Sequence, residues 1–236
     1  MDHRHNEKEN LAPPLVRLSD TGRLETFSDG VFSVTITLLL FEVARPEYEA
    51  GRLLEKLLNQ WPTYIAYLAS FLYVGVIWLN HRAVYGRVRY CNIQLHWANL
   101  ILLLTSALIP FPTAVFSTAF LLGNNFDARV AVALYAIIGG VMCFSWLVLF
   151  HVLYIYPYLL EHGVEPEFFR AERVRAIIGI CAYAISGLAG WFLSPLLAVF
   201  IFLLLPVFYA LTSEGLTEGP RLRARFLREK QSHDQM

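Results

Sequence analysis

The sequence predicts an all-α integral membrane protein with six transmembrane helices per subunit. Apolar residues make up 56% of the 236-residue chain and charged residues only 16%, whereas a soluble domain carries about a quarter charged residues. Six apolar stretches are each long enough to cross a bilayer as a helix, which takes about 20 residues. Basic residues concentrate in alternate loops, as an even number of crossings requires.

Hydropathy and the positions of the prolines define the elements in order. The predicted spans cover residues 24–43, 62–84, 95–122, 130–153, 174–193 and 195–212. The third span contains Pro110 and Pro112, so we expect it to kink there. Only Ser194 and Pro195 separate the last two spans, which predicts a tight helical hairpin. Leucines one turn apart in residues 52–60 predict a short amphipathic helix at the membrane surface.

The distribution of basic residues predicts the orientation. Residues 1–22 are predicted to form an N-terminal tail, 23–212 the transmembrane domain and 213–236 a basic C-terminal tail. If both tails share one side with the second and fourth loops, that side holds 15 of the 19 Lys and Arg residues. Basic residues collect in the cytoplasm, so we predict a multi-pass protein of the cell inner (plasma) membrane with both termini cytoplasmic.

Several other classes of function are excluded by composition. The formal net charge is zero, which indicates no nucleic-acid partner. Cys91, Cys143 and Cys181 are isolated in sequence and predict neither a disulfide framework nor a zinc site. His151 and His162 lack the spacing of metal ligands. No nucleophile motif is present, so we predict no enzyme and no cofactor.

Asp29 is the residue that most constrains function. It lies about a turn and a half into the first span, where an unpaired carboxylate costs on the order of 3 kcal/mol or more. The second span ends in WLNHR and the third begins with QLHWANL, at the same depth as Asp29. Donors from these two helices, Trp78, His81 and Asn99 among them, are therefore expected to satisfy Ser28 and Asp29. A proton-coupled transporter using Asp29 or His81 stays open as an alternative.

The first span also carries an apolar stripe. On a helical wheel of about 100° per residue, one face collects Phe27, Val31, Val34, Leu38 and Phe41, with Gly30 and Thr37 on its flank. Asp29, Ile36 and Leu40 point roughly the other way. Periodicity alone favours lipid contact or core packing for such a stripe.

A longer pattern of motifs identifies a family. The R-x-x-x-F-S-D-G opening at Arg23 to Gly30 is followed by ITLL, WLNHR and the run L-x-x-A-N-L-x-L-L-L…P-F-P-T-A. Over residues 23–115 the sequence resembles transmembrane protein 175, the endosomal and lysosomal potassium channel, and most of all its prokaryotic members. The resemblance implies four six-helix subunits around a pore, with the first helix pore-lining and no re-entrant filter loop. This sequence likewise contains no TVGYG.

The resemblance also implies roles for individual residues. The pore constriction falls at Val34, Leu38 and Phe41. The pore-lining and selectivity positions are Thr37, Gly30 and Val31. The structural polar network comprises Arg23, Phe27, Ser28, Asp29, His81, Trp97 and Asn99, and Arg82 stands where the family usually has a second histidine.

The implied function is a potassium-selective, leak-like cation channel that forms a homotetramer in the lipid bilayer. Potassium would be a permeant ion and no metal would be fixed. A ring of apolar side chains on the first helix would gate the pore by dewetting, as a hydrophobic gate. Glu42, Glu47 and Glu49 at the outer end either concentrate cations or form an ordinary solvated loop. The transporter alternative lacks support from internal repeats, which such folds usually show.

Overall fold

Helices dominate the part of the chain that the structure, a computed structural model, describes, which is residues 19–43, 45–165 and 167–212. The helices are α1 (Gly22–Phe41), α2 (Leu53–Asn59), α3 (Trp61–Tyr85), α4 (Ile93–Ala107), α5 (Pro110–Leu122), α6 (Asn125–Ile155), α7 (Glu167–Phe192) and α8 (Pro195–Thr212). Two-residue strands β1 (Ser19–Asp20) and β2 (Tyr90–Cys91) and a 3-10 turn at Pro157–Leu159 complete the described elements. Nearly all of the predicted N-terminal tail and the whole C-terminal tail lie outside them.

Six helical stretches within the described residues are long and apolar enough to cross a membrane, which confirms the predicted fold class. They are α1, α3, the pair α4 and α5, α6, α7 and α8. The third span divides at Leu108 and Ile109, directly before Pro110. Proline has no N–H to continue the helix but suits the first position of a new one, so the break falls where the sequence predicts it.

Two helices extend further than hydropathy predicts. The helix α6 begins at Asn125, five residues before the predicted span. Asn124 caps it, because its Oδ1 accepts hydrogen bonds from the backbone N–H groups of Phe126 and Asp127 at 2.9 and 3.3 Å. This is the standard stabilisation of a helix N-terminus. The helix α7 begins at residue 167 instead of 174, so Arg170 and Arg173 lie on a polar helical extension. A hydropathy window registers only the apolar part of such helices.

Loops close one end of the bundle. Strand β1 pairs antiparallel with β2, which places Ser19 opposite Cys91. The backbone N–H of Arg89 donates to the carbonyl of Leu159 at 2.8 Å. The start of α1, the α3–α4 loop and the α6–α7 loop therefore share one end, which agrees with the alternation of the basic residues. Burial is the main cause that raises the pKa of the Cys91 thiol to about 11, so it stays neutral at physiological pH and packs as an apolar group.

The most extensive helix contact joins α6 to α7. Glycines let the two helices approach closely, as small residues do in membrane proteins. Gly139 of α6 lies against the ring of Tyr183 of α7, and Gly190 of α7 lies against Val132 of α6. A Cβ at either glycine would overlap the opposing side chain.

We expect Gly139→Ala to destabilise the protein by about 1–3 kcal/mol, since the added methyl overlaps the buried ring of Tyr183 and forces the helices apart. The thermal midpoint of detergent-solubilised protein measures the effect. Gly75→Ala is the matched control, because no atom lies within 4 Å of an added Cβ at Gly75. Equal midpoints for the two variants would contradict the close α6–α7 contact.

Candidate pore-lining helix and its polar anchor

The helix α1 packs against α3, α4 and α5. Its buried face consists of residues three or four apart, which are Leu24, Ser28, Phe32, Thr35 and Leu39. The hydroxyls on this face are satisfied within the helix. Ser28 Oγ donates to the carbonyl of Leu24 and Thr35 Oγ1 to that of Val31, each at 2.8 Å. These bonds satisfy the hydroxyl protons within α1 and leave the oxygen lone pairs free to accept from a neighbouring helix.

The predicted constriction residues lie on a different face, which the rest of the subunit leaves uncovered. Val34, Leu38 and Phe41 are 57%, 43% and 80% exposed. Gly30 and Thr37, predicted to line the pore, are also exposed or half-exposed. Val31, predicted with them, is half-buried and packs against the core. The stripe is therefore available to lipid or to other copies of the chain.

Thr37 adds oxygen atoms beside this stripe. Its Oγ1 donates to the carbonyl of Val34 at 2.8 Å. That bond uses the hydroxyl proton and leaves the lone pairs of Oγ1 free to accept. Thr37 can therefore offer an oxygen to a water molecule or a cation that passes the stripe.

A buried chain of hydrogen bonds connects α1, α4 and α3. Asn99 Nδ2 of α4 donates to Ser28 Oγ at 2.9 Å, and His81 Nε2 of α3 lies 2.8 Å from Asn99 Oδ1. An amide oxygen only accepts, so His81 Nε2 carries the proton in this arrangement. All three side chains are at most 1% exposed. The His81 ring is further held by stacking on Tyr85, with centroids 4.4 Å apart.

Asp29 makes a further hydrogen bond, between α1 and α3, beside the buried cluster of Ser28, Asn99 and His81. Trp78 Nε1 of α3 donates to Asp29 Oδ1 at 2.8 Å. Asp29 is exposed within the subunit and Trp78 is half-buried. The sequence offered Trp78 as one donor of the WLNHR motif, but the predicted network omitted it. The carboxylate thus has a partner on a neighbouring helix, as the cost of an unpaired charge in a span requires.

The other predicted network members lie apart from these bonds. Arg23, Phe27 and Trp97 are exposed, Trp97 to 62%. Among the described residues, none of the three makes a hydrogen bond to Ser28, Asp29, His81 or Asn99. Their side chains face away from the subunit core. The described residues also contain no group of three or more His, Cys, Asp or Glu that could hold a metal ion.

The arrangement as a whole is a helix held on two sides with an apolar stripe on a third. It offers no nucleophile, no acid–base pair and no metal ligands within the described chain. Its chemistry is that of a surface presented to water, ions or apolar groups. Such a helix suits a wall shared between copies of the chain.

This helix lies in the part of the chain that matches a known family. The family model described as endosomal/lysosomal potassium channel TMEM175 matches residues 23–110. A potassium channel of Streptomyces collinus is 34% identical over 170 residues, which cover 72% of this chain and 82% of that protein. A potassium channel of Chamaesiphon minutus is 39% identical over 121 residues, which cover 50% of this chain and 58% of that protein.

The fold agrees with a solved structure. The crystal structure of a lysosomal potassium-selective channel TMEM175 homolog from Chamaesiphon minutus aligns with a TM-score of 0.71 and 31% identity. The alignment covers 82% of this chain and 97% of that one. These relatives are named as channels and not as enzymes, in agreement with the prediction. With the R-x-x-x-F-S-D-G helix, the six spans and a relative that matches over most of both lengths, this chain belongs to the TMEM175 family.

Proposed function

We propose that the protein is a potassium-selective, leak-like cation channel in which four copies surround a pore lined by α1. The relatives named as potassium channels support the ion. The observation that carries the proposal is the exposure of Val34, Leu38 and Phe41 on a helix whose other contacts are fixed. Because α1 is anchored by polar bonds, the stripe keeps one orientation, and four copies of it placed around an axis would form a continuous apolar wall.

The anchoring bonds set the direction in which the stripe faces. At about 100° per residue, Leu38 lies about 80° and Val34 about 120° from the centre of the buried face. Rotating α1 to bury the stripe would break the Ser28–Asn99 and Asp29–Trp78 hydrogen bonds. Each broken bond would leave a polar group unpaired in apolar surroundings, which is unfavourable. The stripe is thus held outward by the polar groups next to it.

Four stripes around an axis act as a hydrophobic gate. Val34 and Phe41 are seven residues apart, so the apolar section is about 10 Å long at a helical rise of about 1.5 Å per residue. When these side chains meet they exclude water, and a small outward movement of α1 wets the pore. Sodium holds its water more strongly than potassium and is therefore hindered more. Thr37 oxygens beside the ring compensate for part of the lost hydration.

The cell inner membrane is the proposed location, with both termini in the cytoplasm. In this orientation α1 ends at the outer surface, where Glu42, Glu47 and Glu49 follow it. Exposed carboxylates at a pore mouth raise the local concentration of cations. The alternative of a proton-coupled transporter is not favoured, since the relatives are named as channels and α1 is a continuous helix.

The basic test is ion flux. Purified protein in liposomes should carry potassium, and sodium more slowly, because partial dehydration penalises sodium. No span carries a ladder of arginines, so the current should not show voltage-sensor behaviour. Proton uptake driven by solute exchange, without potassium flux, would contradict the channel.

Leu38→Ala tests the constriction. Removing this side chain from all four subunits widens and wets the narrowest section. Basal current should rise severalfold, and sodium should pass nearly as well as potassium, as measured by bi-ionic reversal potentials.

Leu40→Ala is the matched control, because Leu40 is an exposed leucine on the other side of the same helix. It should leave the reversal potential unchanged. Ile36→Ala, at a half-buried position that packs against the core, should lower stability and leave selectivity alone. Reversed behaviour of Leu38 and Leu40 would mean that α1 is rotated from the proposed orientation.

Asn99→Ala tests the polar anchor. It leaves both Ser28 and His81 without their Asn99 partner in a buried site, at a cost of about 1–3 kcal/mol. The thermal midpoint and the fraction of tetramer in detergent should both fall. Asp29→Ala removes a single hydrogen bond, to Trp78, that is more exposed than the bonds of Asn99. It should therefore lower stability less than Asn99→Ala does. Asn80→Ala is the control, since Asn80 donates to a carbonyl of its own helix, and an effect as large as that of Asn99→Ala would argue against an anchor.

A further inference from the structure

An apolar groove of about 670 Å³ runs between α6 and α7 on the outside of the bundle. Its floor is formed by small residues, including Gly140 and Gly187. Its rims are formed by exposed large side chains such as Ile137, Leu188 and Phe192. None of the described residues that line it is charged. The groove is open to the outside and offers almost entirely apolar contacts to an occupant.

The dimensions of the groove match one leaflet of a bilayer. On α6 it runs from Ala133 to Phe144, eleven residues or about 16 Å at a helical rise of about 1.5 Å per residue. The hydrocarbon core of a bilayer is about 30 Å thick, so each leaflet contributes about half of that. A single acyl chain laid along the groove would cover its floor.

A cation lies on α6, one helical turn before the residues that line the groove. Arg129 is one turn before Ala133 on the same face of α6, and it is half-buried. Its Nε–H is buried and has no hydrogen-bond partner among the described residues, nor does the guanidinium form an ion pair with any of them. Nearby, Trp191 packs edge-on against Phe126 with centroids 6.1 Å apart. Tryptophan and arginine at this depth are typical of the headgroup region.

The two helices that form the groove are not among the main neighbours of the helix proposed to line the pore. The helix α1 packs on α3, α4 and α5, whereas α7 packs chiefly on α6 and α8. With α1 at the symmetry axis, α6 and α7 lie towards the surrounding lipid. The lipid-facing position of the groove therefore rests on the proposed function. The shape of the groove and the charge of Arg129 do not depend on it.

We propose that this groove binds an acyl chain of an anionic phospholipid whose phosphate is held by Arg129. An arginine guanidinium presents several N–H donors to phosphate oxygens and stays charged. The acyl chain fills the space over Gly140 and Gly187. The bound lipid belongs to the leaflet opposite the basic tails, and it covers the α6–α7 contact on its lipid side.

Native mass spectrometry of the purified protein, with phosphatidylglycerol or phosphatidylcholine added to the detergent, tests this site. The wild type should retain phosphatidylglycerol in preference to phosphatidylcholine. Arg129→Ala should weaken retention of phosphatidylglycerol about tenfold, the effect of losing one charge-assisted hydrogen bond. Arg52→Ala, which removes a cation from the same side of the membrane outside the groove, should retain the lipid as the wild type does.

A second pair of variants tests the groove itself. Gly140→Phe fills the floor, where the nearest atom to an added Cβ is 3.9 Å away, and should abolish retention of both lipids. Ile178→Phe adds bulk on an exposed part of α7 outside the groove and should change nothing. If Gly140→Phe lowers the thermal midpoint, Leu188→Ala removes a rim side chain without touching the core and should weaken retention of both lipids.

The outcomes distinguish a lipid site from a subunit contact. Retention of phosphatidylglycerol by Arg129→Ala at the wild-type level would overturn the proposal. So would a Gly140→Phe protein that keeps its lipid but loses tetramer mass, because the groove would then be a subunit contact. Potassium flux is measured on the same preparations. Absence of flux in the wild type would overturn the channel and not the lipid site.

Discussion

Two adjacent residues, Ser28 and Asp29, determine how α1 sits in the subunit. Ser28 accepts a hydrogen bond from Asn99 of α4, and Asp29 accepts one from Trp78 of α3. Neighbouring side chains on a helix point about 100° apart, so these bonds reach two different helices from one turn. Together they fix both the rotation and the depth of α1. The exposure of the stripe at Val34 and Leu38 is a consequence.

Apolar packing alone would not fix this rotation. In a membrane, an apolar side chain loses little when it turns from a helix interface to lipid, because lipid tails are as apolar as leucine. Phe32 and Leu39 on the buried face and Leu38 and Phe41 on the open face are therefore nearly equivalent energetically. Polar groups are not equivalent in the two environments, since they need hydrogen-bond partners. The buried Asn99 and His81 supply that discrimination.

Local features and depth in the membrane account for what the sequence predicts well. The spans, the break at Pro110 and the hairpin at Ser194 follow from hydropathy and from the missing N–H of proline, and the structure agrees with them. The connection of Ser28 to Asn99, and through Asn99 to His81, follows from depth, because polar residues at one level of three helices must satisfy each other. The basic residues Arg170, Arg173 and Arg175 were expected in a loop. All three lie on α7, which continues past its apolar part.

Other features depend on three-dimensional packing and could not be predicted from the sequence. The buried face of α1 includes Ser28 and Thr35, whose hydroxyls bond to their own helix, so their polarity misleads a helical wheel. Trp78 was one of several donors expected near Asp29, and the sequence did not single it out because the choice depends on how α1 and α3 pack. Trp97 was assigned to the polar network by the resemblance yet lies outside the bonded cluster, which depth alone does not reveal.

The α6–α7 pair shows how one sequence feature produces two surfaces. Gly139 and Gly140 are adjacent, so they point about 100° apart on α6. Gly139 meets the Tyr183 ring, and there the missing side chain lets the helices touch. Gly140 points to the outside, and there the missing side chain leaves the floor of the groove empty. Two adjacent missing side chains thus produce both the close contact between the helices and the concave outer surface. Any residue that filled the groove at position 140 would leave the helix contact at Gly139 in place, and so the two surfaces can be altered separately.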